Sequence, residues 1–160
     1  MAETRDSEEV ACVEFDRKLN RIDRIYSGFA RACGISDCAY WMICDTAAAG
    51  GTIALNRLTA EWCYSKQTIN SALKTMVTRG LARLEYVEGS RKNKVVILTD
   101  EGRAFARRYT DPALAAELRA FGALAADEQN VLMGLLDKYA DALDAELGAF
   151  KGALAANDGE

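Results

Sequence analysis

Residues 55–99 read LNRLTAEWCYSKQTINSALKTMVTRGLARLEYVEGSRKNKVVILT, and the reading of the chain turns on how this stretch divides. Between residues 66 and 79, Ile69, Ala72, Leu73 and Met76 are spaced three, one and three apart, so they share one face of an α-helix. The opposite face carries Lys66, Gln67, Asn70, Ser71 and Lys74, with no acidic residue among them. Ser65 stands where a hydroxyl caps free N–H groups, and Gly80 is the stop, with Arg79 in the last turn. Upstream, Leu55, Leu58 and Trp62 mark a shorter amphipathic run, and Cys63-Tyr64 fills a turn between the two helices. Downstream, residues 82–86 alternate apolar and polar at the strand period. Residues 94–98 can pair back against them, and the loop Glu88-Gly-Ser-Arg-Lys-Asn93 closes a ribbon with a basic tip.

A polar helix face is ordinarily just a solvated surface. Here the side-chain types argue for more. Asn and Gln match adenine edges, Lys matches guanine or phosphate, and Ser pairs with either, so the face suits a major groove. The expected contact set is Ser65, Lys66, Gln67, Thr68, Asn70, Ser71 and Lys74 on the helix, with Ser90, Arg91, Lys92 and Lys94 on the ribbon.

Charge distribution agrees. The 160 residues carry a net charge of −4, which alone disfavours nucleic acid. Between residues 51 and 94, however, eight cations stand against three anions. Residues 1–50 hold six against nine, and residues 95–160 six against twelve. The positive charge is concentrated where the helix and ribbon are, as an electrostatic footprint requires. The acidic remainder weakens non-specific binding and leaves discrimination to groove contacts.

Gly80-Leu81, a ribbon, and then Leu98-Thr99-Asp100-Glu101-Gly102 together resemble the MarR family of winged-helix transcription regulators, over residues 19–147. That resemblance implies a homodimeric, sequence-specific double-stranded-DNA-binding regulator, usually a repressor, with a major-groove helix and a minor-groove wing. It implies no enzymatic activity and no cofactor. The family's wing commonly reads Asp-x-Arg ahead of the Leu-Thr pair. Counting back from Thr99 puts Ser90 at the Asp position and Lys92 at the Arg position, a departure from the pattern. Lys92 or its neighbour Arg91 then works without the aspartate brace, and a guanidinium suits a narrow groove better than an ammonium.

The fold class expected is mostly α: a winged helix-turn-helix with a small two- or three-stranded sheet, flanked by dimerisation helices. The division expected is 35–102 for DNA binding and 1–34 with 103–160 for dimerisation. Residues 1–9 are polar and acidic and are expected to fray. Phe15, Leu19, Ile22, Tyr26, Phe29 and Cys33 then form one seam along a long helix ended by Gly34. Ser36 can cap a second helix, closed by Gly50-Gly51. Thr99 can cap a helix running to about Tyr109, where Asp111-Pro112 interrupts or kinks it. From Asp127, Leu132, Leu136, Tyr139, Leu143, Leu147, Phe150 and Leu154 form a second seam, and disorder is expected from Ala155. Two seams outside the winged region need partners, which an intertwined two-fold dimer supplies; folding back within one chain is the alternative.

The remaining chemistry is sparse. The chain has no histidine and five cysteines without a Cys-x-x-Cys pair, so a zinc site and a base-activated thiol are both disfavoured. No apolar run is long enough for a bilayer and the acidic start has no signal core, so a cytoplasmic protein with reduced thiols is expected. Family members often respond to small aromatic acids. Tyr26, Phe29, Arg31, Trp41 and Trp62 are the types for such a pocket, although aromatics at helical spacing are as readily core. Oxidation of an N-terminal cysteine is a second family signal, and Cys12 lies in that region beside Glu9 and Glu14. A winged-helix module that binds protein is the rival from another class.

Overall fold

The structure, a computed structural model, describes residues 2–60, 64–90 and 92–157, with side chains from residue 9 to 154 within those stretches. Two compact units divide it, residues 1–113 and 114–160.

In the first unit, α1 (Ala2–Ala32) leads into α2 (Asp37–Ala48), β1 (Thr52–Ala54), α3 (Leu55–Ala60) and α4 (Lys66–Thr78). The hairpin β2 (Ala82–Tyr86) and β3 (Lys94–Leu98) follows, then α5 (Asp100–Phe105). Helix α1 is longer than the seam required. It begins at Ala2, so the fraying expected over residues 1–9 is not what the backbone shows from residue 2 onward.

Helix α2 runs through the core, burying Cys38, Ala39, Tyr40, Met42, Ile43 and Thr46. The Thr46 hydroxyl donates to the Met42 carbonyl at 2.6 Å, which satisfies it without water. Ser36 caps the helix, its Oγ accepting from the Ala39 N–H at 3.2 Å. Against α2 lies the inner face of α4, where Ile69, Ala72, Leu73 and Met76 are all buried.

The sheet has three strands in the order β1-β3-β2, both pairs antiparallel. The register sets Ile53 beside Val96 and Val96 beside Leu84, with Ala82 opposite Leu98. These five side chains share the face turned to the core, and all but Leu84 are fully buried. The ribbon is therefore rooted on both sides of β3.

Two helix ends in this unit have the same construction. At the end of α1, the Gly34 N–H donates to Arg31 and the Ile35 N–H to Ala30; at the end of α4, Gly80 donates to Val77 and Leu81 to Met76. Gly34 (φ 77°) and Gly80 (φ 68°) supply the left-handed residue this six-to-one closure needs. Thr99 locks the second end, donating its hydroxyl to the Gly80 carbonyl at 2.5 Å while its Oγ accepts from the Gly102 N–H at 3.0 Å.

The interruption or kink expected at Asp111-Pro112 is present, but the chain does not leave the helix. Residues 106–110 instead widen into a π-turn, in which the Asp111 N–H reaches back five residues to the Ala106 carbonyl. Helix α6 (Asp111–Phe121) continues from it. Widening the ladder by one residue accommodates a proline that lacks an N–H and would otherwise collide with the carbonyl four residues earlier. In the second unit, α7 (Ala126–Asn157) passes Ala155, where order was expected to end. Gln129 fixes its entry by donating to the Phe121 and Leu124 carbonyls at 3.1 and 3.0 Å.

Among the described residues, no helix is long and apolar enough to cross a membrane.

Candidate nucleic-acid interface

Helix α4 starts as an anion-receptive end. Ser65 Oγ accepts from the Thr68 N–H at 3.1 Å and lies 2.8 Å from the Thr68 hydroxyl. No acidic residue occupies the first turn, so nothing in the helix itself neutralises the positive end of its dipole. Lys66, Gln67, Thr68, Asn70, Ser71 and Lys74 are all exposed. Burial of the apolar stripe on the other side fixes which side chains point outward.

Lys66 and Asn70 share a cleft of about 530 Å³ with Lys92 and Lys94 of the ribbon. Asn56 and Thr59 of α3 line it too, as do Tyr64 and Asn93, while Leu55 and Ile69 give it apolar wall. The cleft joins the helix to the ribbon: three ammonium groups and five amide or hydroxyl side chains converge on one concavity. Sequence reasoning missed Asn56, Thr59, Tyr64 and Asn93. For Asn56 and Thr59 a signal existed, since residues three apart on an amphipathic helix share its polar face.

At the ribbon tip, Ser90 holds the turn. Its Oγ accepts from the N–H groups of Lys92 and Asn93 at 3.3 and 2.9 Å. The residue at the family's aspartate position thus braces backbone here. Lys94 lies over the Tyr86 ring at 5.0 Å, which orients its stem along the ribbon. Arg83 is engaged within its own strand, pairing with Glu85 at 2.6 Å. Arg91, which completes the expected set, lies outside the described residues, as does Trp62.

The aromatic candidates sit elsewhere in the first unit. Tyr26 and Trp41 are 4.9 Å apart between ring centroids, Tyr40 and Trp41 5.4 Å, and Phe29 meets Tyr40 edge-on at 5.6 Å. The structure therefore brings Tyr26, Phe29 and Trp41 into one cluster through Tyr40, and leaves Arg31 exposed in the last turn of α1. Cys12 is exposed on α1, whereas Cys33 and Cys38 are buried. Burial, with a contribution from Asp37, pushes the Cys38 thiol up to about 11. Burial, with the nearby acids Asp37 and Asp23 and Cys38, pushes the Tyr64 phenol up to about 12.

No family profile matches the sequence, and no curated protein matches it. Solved structures do match. A MarR family regulator from Neisseria meningitidis superposes with a TM-score of 0.70 at 20% identity, covering 84% of this chain and 94% of its own. This chain has the winged-helix fold of the MarR regulators. A MarR family transcriptional regulator from Streptomyces coelicolor, solved in complex with DNA, gives 0.71 at 19% identity, covering 86% of this chain and 91% of its own. An organohalide-sensing transcriptional regulator in its 2,4-dichlorophenol bound form gives 0.65 at 12% identity, covering 84% of this chain and 79% of its own. On the MarR fold, α3 and α4 are the helix-turn-helix and the β2–β3 hairpin is the wing.

Proposed function

We propose that this protein is a transcription regulator of the MarR family that binds double-stranded DNA sequence-specifically as a homodimer. The observation carrying the proposal is the shared cleft: Lys66 and Asn70 of α4 face the same concavity as Lys92 and Lys94 of the wing. A duplex backbone seated there would leave α4 in a major groove and the wing over the adjacent minor groove. The three ammonium groups would meet phosphates, and Gln67, Asn70 and Ser71 would face base edges. The DNA complex of the S. coelicolor neighbour supports this reading.

Residues 1–34 and 103–160 form the dimerisation region in this reading. Their apolar residues Ile22, Ile25, Leu118, Leu143 and Leu147 are exposed in the single chain, and a two-fold partner would cover them. A two-fold dimer sets the operator as an inverted repeat with half-sites about one helical turn apart. Repression is the action proposed. A small aromatic effector is assigned to the Tyr26, Phe29 and Trp41 cluster, with Arg31 and Trp62; the dichlorophenol-bound neighbour supports that class of ligand.

Selection from random duplex DNA tests the reading. The expected result is one enriched inverted repeat, bound with an affinity that falls steeply as salt rises; no enrichment would overturn it. On that operator, Asn70→Ala is expected to lose about 1–3 kcal/mol and to relax preference at one base position, whereas Lys92→Ala lowers the salt slope by about one. Uniform weakening across sequences would move Asn70 to the backbone contacts. A tryptophan fluorescence titration with aromatic acids that stays flat would remove the effector.

A further inference from the structure

Arg79 is the C-cap of α4, and its side chain leaves that helix altogether. Nη1 donates to the Gly34 carbonyl at 2.6 Å, across 45 residues of sequence, and the guanidinium carbon lies 6.0 Å from the centre of the Phe105 ring in α5. One cation therefore joins three elements. Gly34 closes the end of α1, so its carbonyl belongs to the negative pole of that helix, and Arg79 stands at the negative pole of α4 as well. A guanidinium bridging two helix C-termini is favoured by both dipoles and by the charge-assisted bond.

Helix α4 has 13 residues, so its reading end and its braced end lie about 20 Å apart. The buried stripe Ile69, Ala72, Leu73 and Met76 holds the helix against α2, but apolar packing on one stripe resists tilt along the stripe poorly. With the Arg79 end released, a tilt of about 5° about the middle of that stripe would carry Lys66 about 0.9 Å, enough to break a base-edge hydrogen bond.

We infer that Arg79 is a positioning residue for DNA reading: it holds the angle of α4 by pinning its far end to the α1 turn and to α5. The inference rests on the proposed DNA-binding function and deepens it. Arg79 acts through Lys66, Gln67 and Asn70 rather than on DNA, and it makes the end of α1 part of the reading machinery.

Two measurements on the full-length protein separate this from the alternatives. In the DNA-free protein, Arg79→Gln should speed hydrogen exchange at the amides of Arg79, Gly80 and Leu81 at least about fivefold, with an unchanged helical circular dichroism spectrum. On the selected operator, the same variant should bind about tenfold more weakly with the wild-type salt slope. Arg79→Lys, which keeps a cation and a donor, should recover most of both effects. A salt slope reduced by about one would make Arg79 a direct phosphate contact and overturn the inference. Unchanged exchange and unchanged affinity would overturn it too. If the wild-type protein binds no DNA, the functional reading fails; faster exchange in the variant then still shows the pin, and its loss of purpose is attributed to that reading.

Discussion

Helices α4 and α7 carry the same kind of apolar stripe and end in opposite circumstances. In α4, Met76 is 0% exposed and its three stripe neighbours are buried with it. In α7, Leu147 is 57% exposed and Phe150 62%. Spacing alone makes both amphipathic; what differs is whether the chain itself supplies the covering surface. The first unit does so with α2, the sheet and α5. Within its own unit, the stripe on α7 has no such cover among the described residues. A stripe that periodicity detects is thus buried in one helix and left exposed in the other, and spacing does not say which.

The largest expected effect attacks the covered side. Helix α5 crosses the Leu81 backbone at Gly102, where an added Cβ would overlap the Leu81 carbonyl oxygen. Because backbone cannot turn aside like a side-chain tip, Gly102→Ala should lose more than about 4 kcal/mol, read by urea unfolding, with no dependence on protein concentration. A loss below about 1 kcal/mol would mean α5 can slide, and the first unit is less tightly determined than its burial implies.

Next comes the uncovered side. Leu143→Glu with Leu147→Glu should leave the unfolding of the winged unit within about 0.5 kcal/mol per substitution, as surface changes do. Sedimentation should shift the protein to the monomer, and operator affinity should fall with it. A stable dimer in this variant would place the interface elsewhere and dissolve the contrast between the two helices.

The smallest effect sharpens the covered side through pH. Cys38 and Tyr64 titrate higher in the folded protein than their ordinary values of 9.0 and 10.0, near 11 and 12. Their neutral forms are favoured by folding, so this stability is complete below pH 9 and is lost as pH rises towards 12. Tm should fall across that window, and Cys38→Ala or Tyr64→Phe should flatten the fall by a degree or two, in the order of about 1–3 °C. An identical slope in both variants would show that neither group is desolvated.

What was legible in the sequence was local. The α4 stripe, the Ser65 and Ser36 caps, the Gly80 stop and the alternation of residues 82–86 each report on neighbours within a turn or a strand, and each is where it was expected. A third strand was left open by the sequence, and its position was not legible. β1 is three residues long with a single buried apolar side chain, too short to show a period, and its existence depends on pairing with β3 more than forty residues later. Pro112 was legible in part: the local rule marked an interruption of the helix, and its form, a one-residue widening, is something spacing cannot show. At the candidate site, the exposed cations were readable from type and periodicity. That Lys66 and Asn70 share a cleft with Lys92 was not, and neither was the reach of Arg79 to Gly34, because both are facts about chain reversal.

The central position of β3 has a bearing on how a nucleic acid would meet this surface. Since one neighbour, β1, runs directly into α3 and the other carries the wing outward, the base of the ribbon cannot swing without dragging the helix-turn-helix with it. Past the strand ends, the Val87 N–H still donates to the Asn93 carbonyl at 2.9 Å, so the frame reaches beyond the sheet itself. The turn it carries could then be lengthened, shortened or recharged like an exchangeable cartridge while the frame that aims it stays untouched.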